Sequence, residues 1–191
     1  MELISLQKVK DGKYLKNYEL KYLNKAGREK NYEIVSRQDL KDVSDLGKRP
    51  SGVSIVATMN QKFLLLKEFR MGVNREIYNL CAGMIEENES IEDCIRRELY
   101  EETGLHVKEI KAILPPSFAA VAISDVTTYF AYVEVEGSLC FENCSENEQI
   151  KAAFYDADDL LHMIKEGAPF SSRAQLAAFA FCQGLRIRKN K

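Results

Sequence analysis

Residues 83–105 have the sequence GMIEENESIEDCIRRELYEETGL, which contains eight acidic and two basic side chains. The whole chain has a formal net charge of only -2, and residues 1–50 hold 12 basic against 8 acidic side chains. The negative charge is therefore concentrated in one short segment. Such a segment is typical of a site for a hard cation, and it lacks the clustered basic charge that a nucleic-acid-binding surface needs.

This acidic segment predicts an α-helix over residues 91–102, with Ser90 as its N-cap and Gly104 as the residue that ends it. At about 100° per residue, Glu98 and Glu102 fall on the same face as the apolar side chains of residues 91, 94, 95 and 99. Burying two carboxylates one turn apart is costly unless a cation lies between them. Oxygen ligands suit Mg²⁺ or Mn²⁺, and a chain with only two histidines is a poor candidate for zinc.

An ordinary solvent-exposed acidic helix is the alternative, with Arg97 and Glu101 as an i,i+4 ion pair. The helical geometry argues against it, because Glu98 and Glu102 point in the direction of the apolar side chains. We therefore expect a divalent cation at this face of the helix.

Strands are predicted on both sides of the acidic helix, and further helices follow it. An antiparallel hairpin is predicted from residues 14–23 and 30–36, joined by a turn at residues 24–27. The further strands are predicted at residues 53–58, 62–69, 77–81, 109–114, 126–135 and 149–155, and the further helices at 157–166 and 173–183. This alternation indicates a mixed α/β or α+β domain.

Length and composition exclude several classes of protein. A chain of 191 residues with 46% hydrophobic content is long enough for one domain with a small appendage, and that composition excludes a wholly disordered chain. No run of apolar residues approaches the length of a transmembrane helix. The first residues lack the pattern of a secretory signal, and the five cysteines are an odd number. We therefore expect a cytoplasmic chain with reduced thiols and no membrane partner.

The acidic segment matches the motif G-x5-E-x7-R-E-U-x-E-E-x-G-U, where U is a bulky aliphatic residue, at every fixed position from Gly83 to Leu105. This motif is the Nudix box, and the chain resembles the Nudix hydrolases from about residue 52 to about residue 167. The resemblance implies a Nudix fold, in which a mixed sheet is sandwiched between helices. It also implies an N-terminal β-hairpin subdomain over residues 1–50, used for dimerisation, and a Nudix hydrolase domain over residues 51–191.

Within that family the chain is similar to the ADP-ribose pyrophosphatase branch. A strand that ends in Arg70 precedes the box, residues 80–86 have the sequence LCAGMIE, and the N-terminal hairpin resembles the small sheet with which these enzymes build a domain-swapped homodimer. One position departs from the branch. The proline usually found sixteen residues past the box is Val121 here, although the Ser-Asp pair at residues 124–125 is kept. The resemblance therefore implies the family more firmly than the substrate.

The resemblance also assigns roles to residues of the box. It implies that Glu98 and Glu102 bind Mg²⁺, or alternatively Mn²⁺, and that Ala82 contributes its backbone carbonyl. Glu101 either joins these ligands or orients a water molecule, with pairing to Arg97 as the competing role. Residues 83 and 89 are expected to be structural, the glycine by permitting a backbone turn and the glutamate by holding the loop.

A general base is implied on the loop of residues 142–149. Glu146 and Glu148 are the candidates, and Glu148 is preferred because it adjoins the next predicted strand. A solvated acidic loop without a catalytic role is the alternative.

Recognition of the substrate is expected from Arg70, because a guanidinium binds phosphate through paired hydrogen bonds. The alternative is a surface ion pair with Glu68 or Glu76. Phe118 lies in the loop that leads to Val121, and we expect it to join the core rather than stack on a base.

Together these observations predict an enzyme that uses Mg²⁺ to hydrolyse the diphosphate linkage of a small nucleoside diphosphate derivative. ADP-ribose is the first candidate, with AMP and ribose 5-phosphate as products. Another substrate of the family is the first alternative: a nucleotide sugar, NADH or a dinucleoside polyphosphate. A non-catalytic nucleotide-sensing module is a second alternative, which the intact box glutamates disfavour. A triphosphatase for damaged nucleotides is a third, which the additional N-terminal residues disfavour.

Overall fold

The structure is a computed structural model that describes residues 1–140 and 149–184. The chain forms two compact units. The first comprises residues 1–52 and 116–129, and the second comprises residues 53–115 and the chain from residue 130 onward. The segment 116–129 therefore belongs to the same unit as the N-terminal strands.

An antiparallel sheet of the strands β1 (Glu2–Asp11), β2 (Lys16–Leu23) and β3 (Glu29–Ser36) forms the first unit, in the order β1-β2-β3. The turn between β2 and β3 is built by Asn24, whose side-chain oxygen accepts hydrogen bonds from the backbone N–H groups of Ala26 and Arg28. The predicted hairpin is confirmed. The strand β1 was not predicted, because register shifts between Leu3 and Ser5 and between Lys8 and Lys10 break its alternating pattern.

The core of this unit is small and is formed by the side chains of Tyr18, Leu20, Ile34 and Leu40. The segment 116–129 runs beside β3, where the backbone N–H of Val35 donates to the carbonyl of Ile123 at 2.8 Å. In this segment the side chain of Phe118 is 58% exposed and its ring lies against Gly47. The expectation that Phe118 joins the core is therefore wrong.

Within the described residues, a seven-stranded mixed sheet has the order β10-β5-β4-β9-β8, with β6 paired to β5 and β7 paired to β4. Its strands are β4 (Gly52–Met59), β5 (Lys62–Arg70), β6 (Arg75–Asn79), β7 (Cys81–Met84), β8 (His106–Phe118), β9 (Thr127–Glu136) and β10 (Ile150–Tyr155). The hairpin β4–β5 turns at Asn60 and Gln61, which both have positive φ as a tight hairpin turn requires. The single short strand predicted at 77–81 is two strands, because the chain changes its pairing partner at Leu80.

The helices of the second unit are α1 (Ile91–Thr103), α2 (Ala157–Lys165) and α3 (Ser172–Cys182). Phe63 and Leu65 of β5 form a core with side chains of α2 and α3, whereas α1 contacts β7. Because alternate residues of a strand point to opposite faces, Glu68 of β5 faces away from that α2–α3 core. The predicted mixed sheet with helices is confirmed.

In the described part of the chain, no helix combines the length and the apolar composition needed to cross a membrane.

Candidate functional site

The helix α1 has the boundaries and the buried face that its sequence predicts. The Ser90 hydroxyl accepts a hydrogen bond from the backbone N–H of Asp93 at 3.1 Å, and Gly104 ends the helix with a φ of 72°. The buried side chains of the helix are those of Cys94, Ile95, Leu99, Glu102 and Thr103. A glutamate thus shares the apolar face of the helix.

Glu102 is only 9% exposed, so its carboxylate is largely withdrawn from solvent. Its Oε2 accepts a hydrogen bond from the backbone N–H of Ala82 at 3.1 Å, and the thiol of Cys81 donates a further one. Burial raises the pKa of Glu102 to about 8 despite these hydrogen bonds, and the negative charges of Glu98 and Glu68 act in the same direction. A cation at this position would remove the cost of the buried charge.

Glu98 reaches the site through space left by Gly83. A Cβ atom at residue 83 would overlap the carboxylate of Glu98. Gly83 does not have a positive φ, so the expectation that it permits a backbone turn is wrong. Glycine is required there because the carboxylate approaches the backbone closely. Burial also raises the pKa of Glu98.

Arg97 connects the helix to the loop that precedes it. Its Nε and Nη2 atoms donate to the two carboxylate oxygens of Glu89 at 2.7 and 2.8 Å, and Nη2 also donates to the carbonyl of Met84 at 2.9 Å. Its Nη1 atom donates to Glu98 at 2.9 Å and to Glu101 at 3.1 Å. This guanidinium therefore holds the loop and two box carboxylates in fixed relative positions.

Glu89 is the partner that Arg97 holds most closely. The hydrogen bonds from Arg97 lower the pKa of Glu89 to about 2, and its Oε2 also accepts from the backbone N–H of Glu86 at 2.9 Å. The geometry agrees with a role in holding the loop. Glu101 differs from it, because half of its side chain is exposed and it contacts Arg97 from the solvent side.

These residues fit a hard divalent cation by the chemistry of their donors. Among the described residues, no three His, Cys, Asp or Glu side chains already converge in a metal-binding arrangement. The carboxylates of Glu98 and Glu102 nevertheless lie beside the Ala82–Gly83 backbone, where hydrogen bonds from Arg97 and from Ala82 hold them. Carboxylate and carbonyl oxygens are the ligands that Mg²⁺ and Mn²⁺ prefer.

Glu68 is a further buried carboxylate that the sequence analysis did not assign to the site. It is 7% exposed, and its charge contributes to the raised pKa of Glu102. Its Oε1 accepts from the side chain of Asn79 at 2.6 Å, and its Oε2 accepts from Arg70 at 3.3 Å. The signal that could have found it is the alternation of β5, which places Glu68 on the same face as the buried Leu64 and Leu66.

Arg70 lies at the end of β5 with 55% of its side chain exposed. Its Nη1 donates to Glu68, one of the two ion-pair partners considered for it. The other, Glu76, pairs instead with Lys67 at 2.9 Å. The remaining N–H groups of Arg70 include donors that could meet an anionic ligand.

The two candidates for the general base, Glu146 and Glu148, lie outside the described residues. The residues on either side of that segment are described. The backbone N–H of Cys140 donates to the carbonyl of Thr103 at 2.9 Å, and the backbone N–H of Phe69 donates to the carbonyl of Gln149 at 3.2 Å. Cys140 and Gln149 are thus each hydrogen-bonded to a residue that directly follows a buried glutamate in sequence, since Thr103 follows Glu102 and Phe69 follows Glu68.

The amino-acid sequence of the chain matches a known family over most of its length. The model of the NUDIX domain family matches residues 48–177, which include every residue of the acidic motif.

Curated relatives cover different shares of the chain. GDP-mannose pyrophosphatase from Yersinia pestis is 27% identical over 147 residues, which are 72% of each chain. ADP-sugar pyrophosphatase from Mus musculus is 28% identical over 134 residues, which are 68% of this chain and 59% of the mouse protein. NAD-capped RNA hydrolase NudC from Vibrio parahaemolyticus is 42% identical over 57 residues, which are 30% of this chain and only 22% of that protein.

Among solved structures, one described as an ADP compounds hydrolase superposes with a TM-score of 0.73 over 96% of both chains. Its sequence is 16% identical, so the similarity concerns the fold.

Proposed function

The chain belongs to the NUDIX domain family, and from that premise we propose that it hydrolyses the diphosphate linkage of a nucleoside diphosphate derivative. The observation that carries the proposal is the position of Glu98 and Glu102, which lie together against the Ala82–Gly83 backbone at the buried face of α1. ADP-ribose is the first candidate substrate. Nucleotide sugars are the second, because two relatives are named for GDP-mannose and ADP-sugar hydrolysis.

The cation would be Mg²⁺, or alternatively Mn²⁺, held by Glu98, Glu102 and the backbone carbonyl of Ala82, with Glu101 as a further ligand. When bound, the metal neutralises the charge of the diphosphate and makes a water molecule a better nucleophile. The protein contributes the placement of its carboxylates. Arg97 holds Glu98 and Glu101, whereas the Ala82 N–H holds Glu102.

In the proposed reaction, water adds to one phosphorus of the diphosphate and the bond from that phosphorus to the bridging oxygen breaks. ADP-ribose and water thus give AMP and ribose 5-phosphate. A carboxylate accepts the proton of the attacking water, with Glu101, Glu146 and Glu148 as the candidates. Arg70 binds a phosphate oxygen of the substrate.

NADH and dinucleoside polyphosphates remain alternative substrates, because Val121 replaces the proline that is usual in the ADP-ribose branch. A nucleotide-sensing module without catalysis is a less favoured alternative. The complete set of box glutamates and the close approach of Glu98 to Gly83 support an enzyme instead.

The remaining proposals concern the organisation of the protein. Residues 1–50 would be a dimerisation subdomain and residues 51–191 the hydrolase domain, in a cytoplasmic homodimer. The free thiols of Cys81, Cys94, Cys140 and Cys182 support a reducing compartment. Light scattering measures the oligomeric state, and an active monomer would contradict the proposed homodimer.

Product analysis by chromatography tests the proposed activity. The wild type, Glu102→Gln and Glu92→Gln would be incubated with Mg²⁺ and ADP-ribose, and with a panel of nucleotide sugars, NADH and dinucleoside polyphosphates. Glu92 is a matched control, because it is an exposed glutamate on the first turn of the same helix. We expect AMP and ribose 5-phosphate from the wild type and Glu92→Gln only. Cleavage of another compound in the panel would identify that compound as the substrate in place of ADP-ribose. Binding of a compound without cleavage of any would favour a nucleotide-sensing module.

A further inference from the structure

Glu68 has both carboxylate oxygens occupied by donors from its own chain. The side-chain amide of Asn79 donates to Oε1 at 2.6 Å, and Arg70 donates to Oε2 at 3.3 Å. These two hydrogen bonds fix the orientation of the Glu68 carboxylate and connect it to the guanidinium of Arg70.

Asn79 is itself held from the opposite side. The hydroxyl of Ser171 donates to its Oδ1 at 2.6 Å, and Ser171 is the N-cap of α3, where its oxygen accepts from the backbone N–H of Ala174. The amide can have only one orientation, because the carboxylate of Glu68 requires the N–H side. The proton of the serine hydroxyl is likewise committed. Hydrogen bonds thus continue from α3 through Asn79 and Glu68 to Arg70.

A purely structural connection would not require a negative charge at residue 68. Burying a carboxylate is costly, and here it also adds repulsion to Glu102. A neutral side chain could join α3 to the sheet without that repulsion. An anion adds a charge-assisted hydrogen bond to the guanidinium of Arg70. The side chain of Arg70 is long, flexible and 55% exposed, so this hydrogen bond restricts its orientation.

We propose that Ser171, Asn79 and Glu68 form a positioning relay that orients the guanidinium of Arg70 toward a phosphate oxygen of the substrate. The proposal rests on the proposed hydrolysis of a nucleoside diphosphate derivative and deepens it by naming residues that set substrate affinity. Glu68, Asn79 and Ser171 act through Arg70 and do not contact the substrate. The relay lowers the conformational freedom that Arg70 would otherwise lose on binding.

A double-mutant cycle on the full chain separates this relay from a structural role. Its variants are Asn79→Ala, Arg70→Ala and the double variant, assayed for KM and kcat with whichever panel substrate the wild type hydrolyses. We expect Arg70→Ala to raise KM about 30-fold with kcat changed less than about 3-fold, as for the loss of a charge-assisted phosphate contact. Asn79→Ala should raise KM about 5-fold, and should add nothing in the Arg70→Ala background.

Conservative variants guard against a loss of folding. Ser171→Thr keeps the hydroxyl and the helix cap, so it should retain the wild-type KM. Ser171→Ala removes both, and should raise KM as Asn79→Ala does. Glu68→Gln keeps the size of the side chain and loses its charge, and it should raise KM with an unchanged Mg²⁺ requirement.

Three outcomes would overturn the relay. Equal effects of Asn79→Ala with and without Arg70 would show a structural role alone. A raised Mg²⁺ requirement for Glu68→Gln at constant KM would place Glu68 with the metal. Absence of hydrolysis by the wild type across the whole panel would remove the proposed function and the relay together, whereas the first two outcomes leave the proposed function intact.

Discussion

Two arginines of the second unit occupy contrasting environments. Arg97 is 23% exposed and donates to three carboxylates and a backbone carbonyl. Arg70 is 55% exposed and, in the part of the chain that the structure describes, pairs with one carboxylate, that of Glu68. The first arginine has its donors directed into its own chain, and the second keeps much of its guanidinium at the surface.

The same type of side chain thus serves two different purposes in this unit. Arg97 sets the geometry of the box, so its removal should affect folding. Arg70 forms one ion pair within the described residues, so its removal should weaken ligand binding and should destabilise the fold less than the loss of Arg97 does. Substitutions at and around the two arginines test this contrast.

Arg97→Ala should have the largest effect on stability. It leaves the nearly buried carboxylate of Glu89 without its partner, which costs about 3 kcal/mol in the free energy of unfolding. Urea unfolding measures this effect. Arg96→Ala is the control, because Arg96 is exposed on the same helix and should cost less than about 1 kcal/mol. Equal losses from both variants would contradict the role given to Arg97.

Gly83→Ala should lower turnover about 10- to 100-fold, because the new Cβ must displace the carboxylate of Glu98. Steady-state kinetics at saturating Mg²⁺ measures the loss. Gly72→Ala is a matched control, since a Cβ at that glycine meets open space. Wild-type turnover by Gly83→Ala would show that Glu98 need not lie against the backbone.

Glu89→Gln should change how stability depends on pH. Arg97 lowers the pKa of Glu89 to about 2 in the folded state, against about 4.3 in an unfolded chain. The ionised glutamate therefore stabilises the fold fully above about pH 5, and that contribution is lost as the pH falls toward 2. Thermal unfolding measured from pH 7 to pH 3 should show that the difference in melting temperature between the wild type and Glu89→Gln becomes smaller at low pH. A constant gap would argue against this ion pair.

Arg70→Ala should have the smallest effect on stability, about 1 kcal/mol, because the guanidinium is largely exposed and the side-chain amide of Asn79 still donates to the buried carboxylate of Glu68. The same urea unfolding experiment as for Arg97→Ala measures it. A loss comparable to that of Arg97→Ala would erase the contrast between the two arginines.

The elements that a sequence can specify locally were predicted well. The helix α1 begins after Ser90 and ends at Gly104 as predicted, because a capping hydroxyl and a glycine with positive φ act within one turn of the chain. The hairpin β2–β3 was predicted for the same reason, since Asn24 builds its turn from adjacent residues.

Features that depend on residues distant in sequence were missed. The hydrogen bonds from Ser171 through Asn79 to Glu68 include one between residues 92 positions apart in sequence, and no local pattern indicates them. The role of Gly83 was misjudged because the close approach of Glu98 is a tertiary contact. Phe118 was misplaced because aromatic character alone does not show whether a loop side chain is covered.

Binding of Mn²⁺, followed by calorimetry in the absence of substrate, tests most directly whether the buried face of α1 holds a divalent cation. The wild type would be compared with Glu98→Gln, with Glu102→Gln and with the control Glu92→Gln, which changes an exposed glutamate of the same helix. We predict that the first two variants weaken binding about 100-fold, since each loses a charged oxygen ligand, and that Glu92→Gln binds as the wild type does. Equal affinity in all four proteins would contradict a cation site at Glu98 and Glu102.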